Sequence, residues 1–532
     1  MLSKVGEVVE TVQVLTRSGL IGPMPPKTLV GVAKASKTWD RTAAGAVAGA
    51  AVRHPDRRAI VDEDGEVTYR ELHRTSNALA TALKARGVRP GYGVGLLCRD
   101  HRHFIRSLVA ISKCGAHLLL LNTSFSGRQM RDVLEREGAA ALIHDDEFRE
   151  LVDGVTVPCI DETTANELIA STSDADPAPP PEPGRKVILT SGTTGTPKGA
   201  RRAPTTPVDA IVGFLERVPI RGGHTHVIVA PMFHSWGFAH MGLCLMLGNT
   251  IVVRRRFDPE ATLELISRHR ARLVALVPVM AQRILDLPAD VRARYDCSSL
   301  EIAAFGGSAI PGDLAVRFMD AFGDVVYNTY GSTEVAIVTI ATPQDLRSDP
   351  HTAGRPVKRV VVKLLDPDGR EVPHGEAGRI FAGSSAAFEG YTGGGGKEIV
   401  EGLMSTGDMG RFDAQGRLTI EGRDDDMIVS GGENVFPREV EDLISDLDGV
   451  EEAAVVGVPD DEFGQRLRAV VVPREGAELT EDAIRAAVRR DLARYKVPRD
   501  VIFTDELPRT ATGKVLKREL ASLQPAPADP AP

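Results

Sequence analysis

The sequence predicts an α/β protein: a large N-terminal unit of stacked α/β sheets closing in a small β-rich subdomain, then a small α+β C-terminal unit. Two observations carry this. Short runs rich in Val, Ile and Leu recur along the chain, each of strand length and apolar on both faces. Between them lie segments whose apolar residues are three and four apart, the spacing of helices that cover a parallel sheet. The length of 532 residues agrees, since at roughly 150 residues per domain it allows three or four folding units.

The elements follow in order. Val5, Val8, Val9, Val12 and Leu15 mark one face of an N-terminal helix within a helical extension of about 40 residues. Packing on its own protein is the first expectation for that face. Contact with a membrane surface is the second, because Lys4, Arg17, Lys27, Lys34 and Lys37 would attract anionic lipid. Glu7 and Glu10 interrupt the apolar stretch, so it is not a secretory signal. Buried strands are expected at 94–97, 187–190, 227–230, 250–253 and 273–279, with helices at 69–85 and 259–268. Residues 174–184 (DADPAPPPEPG) form an exposed connection. No Asp, Glu, Lys or Arg occurs from 227 to 253, a span long enough to cross a bilayer. Pro231, His234, Ser235, His240 and Asn249 would be costly there, so strand, loop, buried helix and strand is the reading. Strands at 360–365 and 418–420 with a turn at 366–369 indicate the β-rich subdomain. Beyond it, a strand at 453–458, a helix at 481–493 capped by Thr480 and a strand at 501–503 make the C-terminal unit, with the tail 524–532 expected to be disordered.

Composition excludes some functions. With 64 Lys+Arg against 73 Asp+Glu the net charge is −9, a poor match for nucleic acid. Cys98, Cys114, Cys159, Cys244 and Cys297 are scattered, with no C-x-x-C pair. They fit neither a disulfide framework nor a zinc site, and suit a reducing, cytoplasmic setting.

One motif decides the class. After the strand at 187–190 comes TSGTTGTPKG, residues 190–199. Gly192, Gly195 and Gly199 allow backbone N–H groups to approach an anion; Thr190, Ser191, Thr193, Thr194 and Thr196 add hydroxyls and Lys198 a positive charge. This is chemistry for a triphosphate. It is not a Walker A loop, because Pro197 stands where that motif needs its second glycine and Gly199 follows the lysine.

Together with PMFHSWG (231–237), GGSA (306–309), NTYGSTE (328–334), STGD (405–408), EGRDDDMIVSGGENVFP (421–437) and PRTATGK (508–514), the loop resembles the adenylate-forming enzymes, which include acyl-CoA synthetases, adenylation domains and firefly-type luciferases. The likeness runs from about residue 45 to 520, with every motif in family order. It implies a large N-terminal adenylation domain to residue 424 and a mobile lid at 425–523, hinged at Asp425. It also implies ATP, Mg²⁺ and coenzyme A as cofactor and cosubstrates.

The resemblance places roles on residues. Thr190, Ser191, Gly192, Thr193, Thr194, Gly195 and Lys198 would hold the phosphates. Gly306, Gly307 and Ser308 would wall the adenine, where a bulky side chain would block the base. Within Asn328, Thr329, Tyr330, Gly331, Ser332 and Thr333, Tyr330 would offer its face to adenine. Glu334 would hold Mg²⁺, a cation that prefers a carboxylate or two plus phosphate oxygens. Asp408 would accept from the ribose hydroxyls and Arg423 would anchor ribose or phosphate. Lys514 would bridge the substrate carboxylate and the α-phosphate. Ser430, Gly431 and Gly432 would border the passage for the pantetheine of CoA. His234, Trp236, Phe238 and Gly331 would line the acyl pocket, with His234 orienting the carboxylate or resting as a satisfied core histidine. Lys514, Glu334, Thr190 and His234 are the catalytic candidates.

Relatives that activate amino acids carry an acidic residue just after the PMF-type segment. Here the stretch 234–253 has none, and an unpaired buried ammonium would be strongly unfavourable. The resemblance therefore implies a carboxylate–CoA ligase for a medium- or long-chain fatty acid. An aromatic acid, an acyl-AMP ligase serving a carrier protein and a luciferase-like oxygenase stay open as alternatives, as does an oligomer.

Overall fold

The computed structural model of the chain describes residues 2–190, 198–424, 428–430, 433–435, 437–460, 464–492, 494–510 and 513–523. Its spine is a fourteen-stranded sheet. The strands Arg58–Asp62, Thr250–Val252, Thr225–Ile228, Leu273–Leu276, Ile302–Phe305 and Val326–Ser332 lie side by side in parallel. From Val326–Ser332 the sheet continues antiparallel through Ala336–Ala341 and Thr352–Pro356 into Leu418–Arg423, Leu403–Phe412, Gly378–Gly383 and Val361–Leu365. Thr250–Val252, Leu273–Leu276 and Ile302–Phe305 are buried along their length, as strands covered on both faces must be.

A six-stranded sheet packs against this spine. Its strands Gly93–Leu97, His117–Leu120 and Lys186–Thr190 are parallel, and Lys198–Arg202 returns antiparallel, pairing Thr190 with Lys198 and Lys186 with Arg202. The helix Tyr69–Ala85 sits where its apolar period predicts. Thr68 caps it, accepting from the Glu71 amide while Glu71 accepts from the Thr68 amide, so two otherwise orphaned donors are satisfied.

Three expectations change. The run 273–279 is a strand only to Leu276, because Pro278 opens the helix Pro278–Leu285 at the one helical position where a missing N–H costs nothing. The strand expected at 227–230 is Thr225–Ile228. The N-terminal helix Leu2–Arg17 buries only the Leu15 end of the face its apolar period suggests: Val8, Val9 and Val12 are 63%, 49% and 48% exposed, while Leu15 is buried together with Val14. Polar contacts beside those two residues help to dock it, Lys358 pairing with Glu10 and Arg359 donating to Thr11 Oγ1 at 2.7 Å. No helix among the described residues is long and apolar enough to cross a membrane.

The C-terminal unit is a five-stranded sheet with the helices Pro437–Ser445 and Glu481–Asp491 over a core of Val440, Ile444, Val455, Leu467, Val471 and Val488. Thr480 caps the second helix, as its sequence predicts, accepting from the Ala483 amide. This unit rests on the first: Arg438 donates to the Ile310 carbonyl at 3.3 Å, and His351 lies between Asp442 and Asp446 at 3.7 and 3.6 Å.

Candidate active site

The turn between Val326–Ser332 and Ala336–Ala341 carries the first group of polar residues. Gly331 cannot be replaced there without movement, because a Cβ would lie 2.0 Å from the Ala336 carbonyl oxygen. Ala336 itself holds a φ of +65°, a left-handed conformation that L-residues rarely take. The tight turn presents Glu334. Ser332 Oγ donates to Glu334 Oε2 at 2.9 Å and the Tyr391 hydroxyl donates to Oε1 at 2.8 Å, so both carboxylate oxygens are oriented. Burial and the Glu334 charge push the Tyr391 phenol up. Lys198 Nζ lies 5.5 Å from the centroid of the Tyr391 ring, within cation–π range. Arg202 fixes the turn from the far side, donating to the carbonyls of Thr333 and Ala386, each at 2.6 Å.

A second group forms where the β-rich subdomain meets the spine. The Tyr330 hydroxyl donates to Asp408 Oδ2 at 2.6 Å, and Arg423 Nη1 donates to Oδ1 at 3.2 Å. Asp408 and Arg423 are direct cross-strand partners, so the ladder itself sets their approach. Burial raises the Asp408 carboxyl above its ordinary value, against the pull of Tyr330 and Arg423. Burial, then Asp408, pushes the Tyr330 phenol well up.

Beside the turn opens a cavity of about 310 Å³. It runs from Gly331, Ser332 and Thr329 past the helix Ser235–Leu247 to Thr42 and Arg41, where two N-terminal helices meet. Trp236, Phe238, Met241, Phe214 and Ile188 give it an apolar wall. Trp236 is pinned by a 3.2 Å hydrogen bond from Nε1 to the Leu276 carbonyl and meets His240 edge-on at 4.5 Å. Gly306 has no room for a side chain, because a Cβ there would lie 2.8 Å from the Trp236 ring. Gly307, at φ +86°, also lines this cavity, and Ser308 follows it half-buried.

The expected acyl-pocket residues Trp236, Phe238 and Gly331 are on the wall, but His234 is not. It occupies the N-cap position of the helix Ser235–Leu247, its Nε2 has no hydrogen-bond partner, and burial pushes its pKa down to about 4, so it is neutral. Asn328 and Thr329 are buried in the strand below the turn, and Thr333 reaches Ser235 Oγ at 3.5 Å. Ser191, Gly192, Thr193, Thr194 and Gly195, the Thr190 side chain, Asp425, Gly431 and Gly432 lie outside the described residues; Ser430 ends the strand Ile428–Ser430. Lys514 stands exposed on its loop, its amide donating to Thr510 Oγ1 at 3.1 Å. Among the described residues no hydrogen bond joins it to Glu334 or Asp408. The neighbouring Gly513 abuts Val279 of the large unit.

Sequence reasoning missed Tyr391 and Arg202. Tyr391 lies in GYTGGGG (390–396), which reads as a bare loop. Arg202 follows Arg201 in the strand Lys198–Arg202 and has no local signature that sets it apart.

Residues 47–392 match the family of AMP-binding enzymes, and 439–514 match the AMP-binding enzyme C-terminal domain. A feruloyl-CoA synthase of Amycolatopsis sp is 35% identical over 476 residues, covering 88% of this chain and 96% of its own. The 3-[(3aS,4S,7aS)-7a-methyl-1,5-dioxo-octahydro-1H-inden-4-yl]propanoyl:CoA ligase of Rhodococcus jostii (strain RHA1) is 33% identical, with 87% and 95% covered. The crystal structure of the anthranilate CoA ligase AuaEII in complex with anthranoyl-AMP superposes with a TM-score of 0.83 at 26% identity, covering 90% of this chain and 96% of that one. The chain therefore belongs to the AMP-binding enzymes, the adenylate-forming superfamily, and is an AMP-forming acid–thiol ligase that works with ATP, Mg²⁺ and CoA.

Proposed function

We propose that this ligase activates a medium- or long-chain fatty acid: acid and ATP give acyl-AMP and pyrophosphate, and the thiol of CoA then displaces AMP to give acyl-CoA. The elongated apolar cavity beside Gly331 and Ser332 carries this reading, since a pocket of about 310 Å³ walled by Trp236, Phe238 and Met241 suits a hydrocarbon body. An aromatic or polycyclic acid is the second reading. The edge-on packing of Phe214 and Trp236, at 6.5 Å between centroids, supports it, as does the kinship with feruloyl and indenyl-propanoyl CoA ligases.

In this scheme Tyr330 presents its ring to adenine, Asp408 accepts from the ribose hydroxyls, and Arg423 holds Asp408 and the sugar together. The loop 191–197 and Lys198 cradle the phosphates. Glu334 fits a hard divalent cation, because Ser332 and Tyr391 already fix its two oxygens; Mg²⁺ held there would neutralise phosphate charge. Lys514 donates to the substrate carboxylate and the α-phosphate as charge gathers on the reacting phosphorus. The C-terminal unit swings about Asp425, and Ser430, Gly431 and Gly432 then border the path of CoA. The exposed Val8, Val9 and Val12 favour contact of the N-terminal helix with a lipid surface.

Pyrophosphate release over a panel from acetate to palmitate, with ferulate and benzoate, tests the substrate reading, and acyl-CoA formation tests the thiol acceptor. Turnover confined to acetate would overturn the first; acyl-AMP without acyl-CoA would overturn the second.

A further inference from the structure

The cavity wall carries several charged side chains, and nearly all are engaged. Arg202 donates to two carbonyls, Arg185 pairs with Glu389 at 3.0 Å, Asp209 pairs with Arg359, and Lys358 pairs with Glu10 and Glu216. Arg41 stands exposed at the rim. His240, 2% exposed between Phe214 and Trp236, is held neutral by burial, its pKa near 3.

Lys186 differs from all of these. It opens the strand Lys186–Thr190, only partly exposed, and lines the cavity with Nζ 5.9 Å from the centroid of the Phe238 ring. Among the described residues no carboxylate or carbonyl receives its ammonium. The charge that acts on it is that of its cross-strand partner Arg202, which has the same sign. Desolvation and Arg202 together push its pKa down to about 8. A cation in an apolar pocket with no anion is expensive to keep unless something that enters the pocket completes it.

Its position says which end of a substrate would do so. Lys186 and Thr190 lie at opposite ends of one strand, and four residues at about 3.3 Å each separate them by roughly 13 Å. Thr190 adjoins the loop assigned to phosphate. Lys186 is therefore remote from the reacting carboxylate.

We propose that Lys186 is a specificity-determining residue and that the physiological acid carries an oxygen function, a carboxylate or a ketone, at the end of its apolar body distal to the activated carboxyl. This rests on the reading of the cavity as the acyl site. The lysine ammonium donates to that oxygen, while the cation–π contact with Phe238 holds it in place when the cavity is empty.

The test compares palmitate with its ω-carboxylate and ω-methyl-ketone counterparts in pyrophosphate-release assays on the wild-type chain, Lys186→Met and Lys186→Arg. The ratio of kcat/KM between a functionalised acid and palmitate cancels any loss of folded enzyme. In the wild type it should be at least tenfold in favour of one or both functionalised acids, expressed in KM. Lys186→Met should reverse it by improving palmitate and weakening the others, and Lys186→Arg should keep most of the wild-type preference. Equal ratios in the wild type and Lys186→Met would overturn the assignment while leaving acyl activation intact. If the wild type released pyrophosphate with none of these acids, the fatty-acid reading would fall, and this inference with it.

Discussion

Tyr391 donates its hydroxyl to Glu334 Oε1 at 2.8 Å from a glycine-rich loop 57 residues further along the chain. The bond orients the carboxylate proposed to hold Mg²⁺, and the ring receives Lys198 on its face. Tyr391→Phe keeps the ring and removes the donor. A hydrogen bond to a charged acceptor contributes about 1.5–3 kcal/mol. With the ring partly open to solvent, roughly a tenfold fall in kcat/KM is expected, together with a higher Mg²⁺ requirement. A magnesium titration of pyrophosphate release checks both; an unchanged requirement would detach Tyr391 from the metal.

Asp408 joins Tyr330 to Arg423. Asp408→Asn removes the charge that holds Arg423 and, on its proposed role, would weaken acceptance from sugar hydroxyls. The KM for ATP should rise about tenfold or more, with the KM for the acid nearly constant. Initial rates over a grid of both substrates separate the two effects, and an increase confined to the acid would contradict the assignment.

Gly306 has no room for a side chain beside Trp236. Gly306→Val must displace the indole, break its bond to Leu276 and narrow the cavity proposed to take the acyl group. Overpacking of this kind costs about 1–3 kcal/mol. The KM for the acid should rise more than that for ATP, and shorter acids should suffer less. A uniform loss across chain lengths would place the damage elsewhere.

Asp100 gives a pH test. Burial pushes its carboxyl up to about 8, against the Met232 amide, which donates to it at 2.9 Å, and the charge of Arg99. Unfolded, it ionises near the ordinary value of about 4. Between those values folding must take up a proton, so this group costs stability progressively as pH rises from about 4 to about 8. Asp100→Asn keeps an acceptor for Met232 and does not titrate. It should raise the melting temperature at pH 8 by about 2–4 °C and leave it unchanged near pH 4. Thermal denaturation at the two pH values decides; equal shifts at both would show that the proton is not responsible.

Lys514→Ala should abolish adenylation, by roughly 10²–10³ for the loss of one such donor, yet spare thioester formation from supplied acyl-AMP. Separate assays of the two half-reactions check it. Equal losses would show that Lys514 serves the fold and not the first chemical step.

Much of this was legible in the residues. The helix Tyr69–Ala85 could be read to its ends, because Thr68 and Glu71 make a capping box and the apolar period is unbroken. The polar constellation was legible where its members sit in dense local motifs: Tyr330 and Glu334 four residues apart, Asp408 after Thr406 and Gly407. What joins those motifs was not. Tyr391 reaches Glu334, and Arg202 reaches Thr333, through sheet topology that places distant segments side by side, and neither residue has a local signature. The N-terminal helix shows the opposite failure. Its valine stripe is a sound periodic signal, but only the Leu15 end is buried, and Lys358 and Arg359 supply polar anchors beside it. At Leu276 the apolar run continues while the backbone turns, since Pro278 is as apolar as a strand residue and begins a helix.

Tyr330, Asp408 and Arg423 stand in strands of one uninterrupted sheet, whereas Lys514 belongs to the other body of the molecule. In the proposed scheme, a mixed anhydride gripped by the first three would have no cause to loosen if the second body turned away. That scheme would assign retention and reactivity to separate pieces of the protein, and an activated acyl group would then outlast the swing proposed between half-reactions without leaking into water.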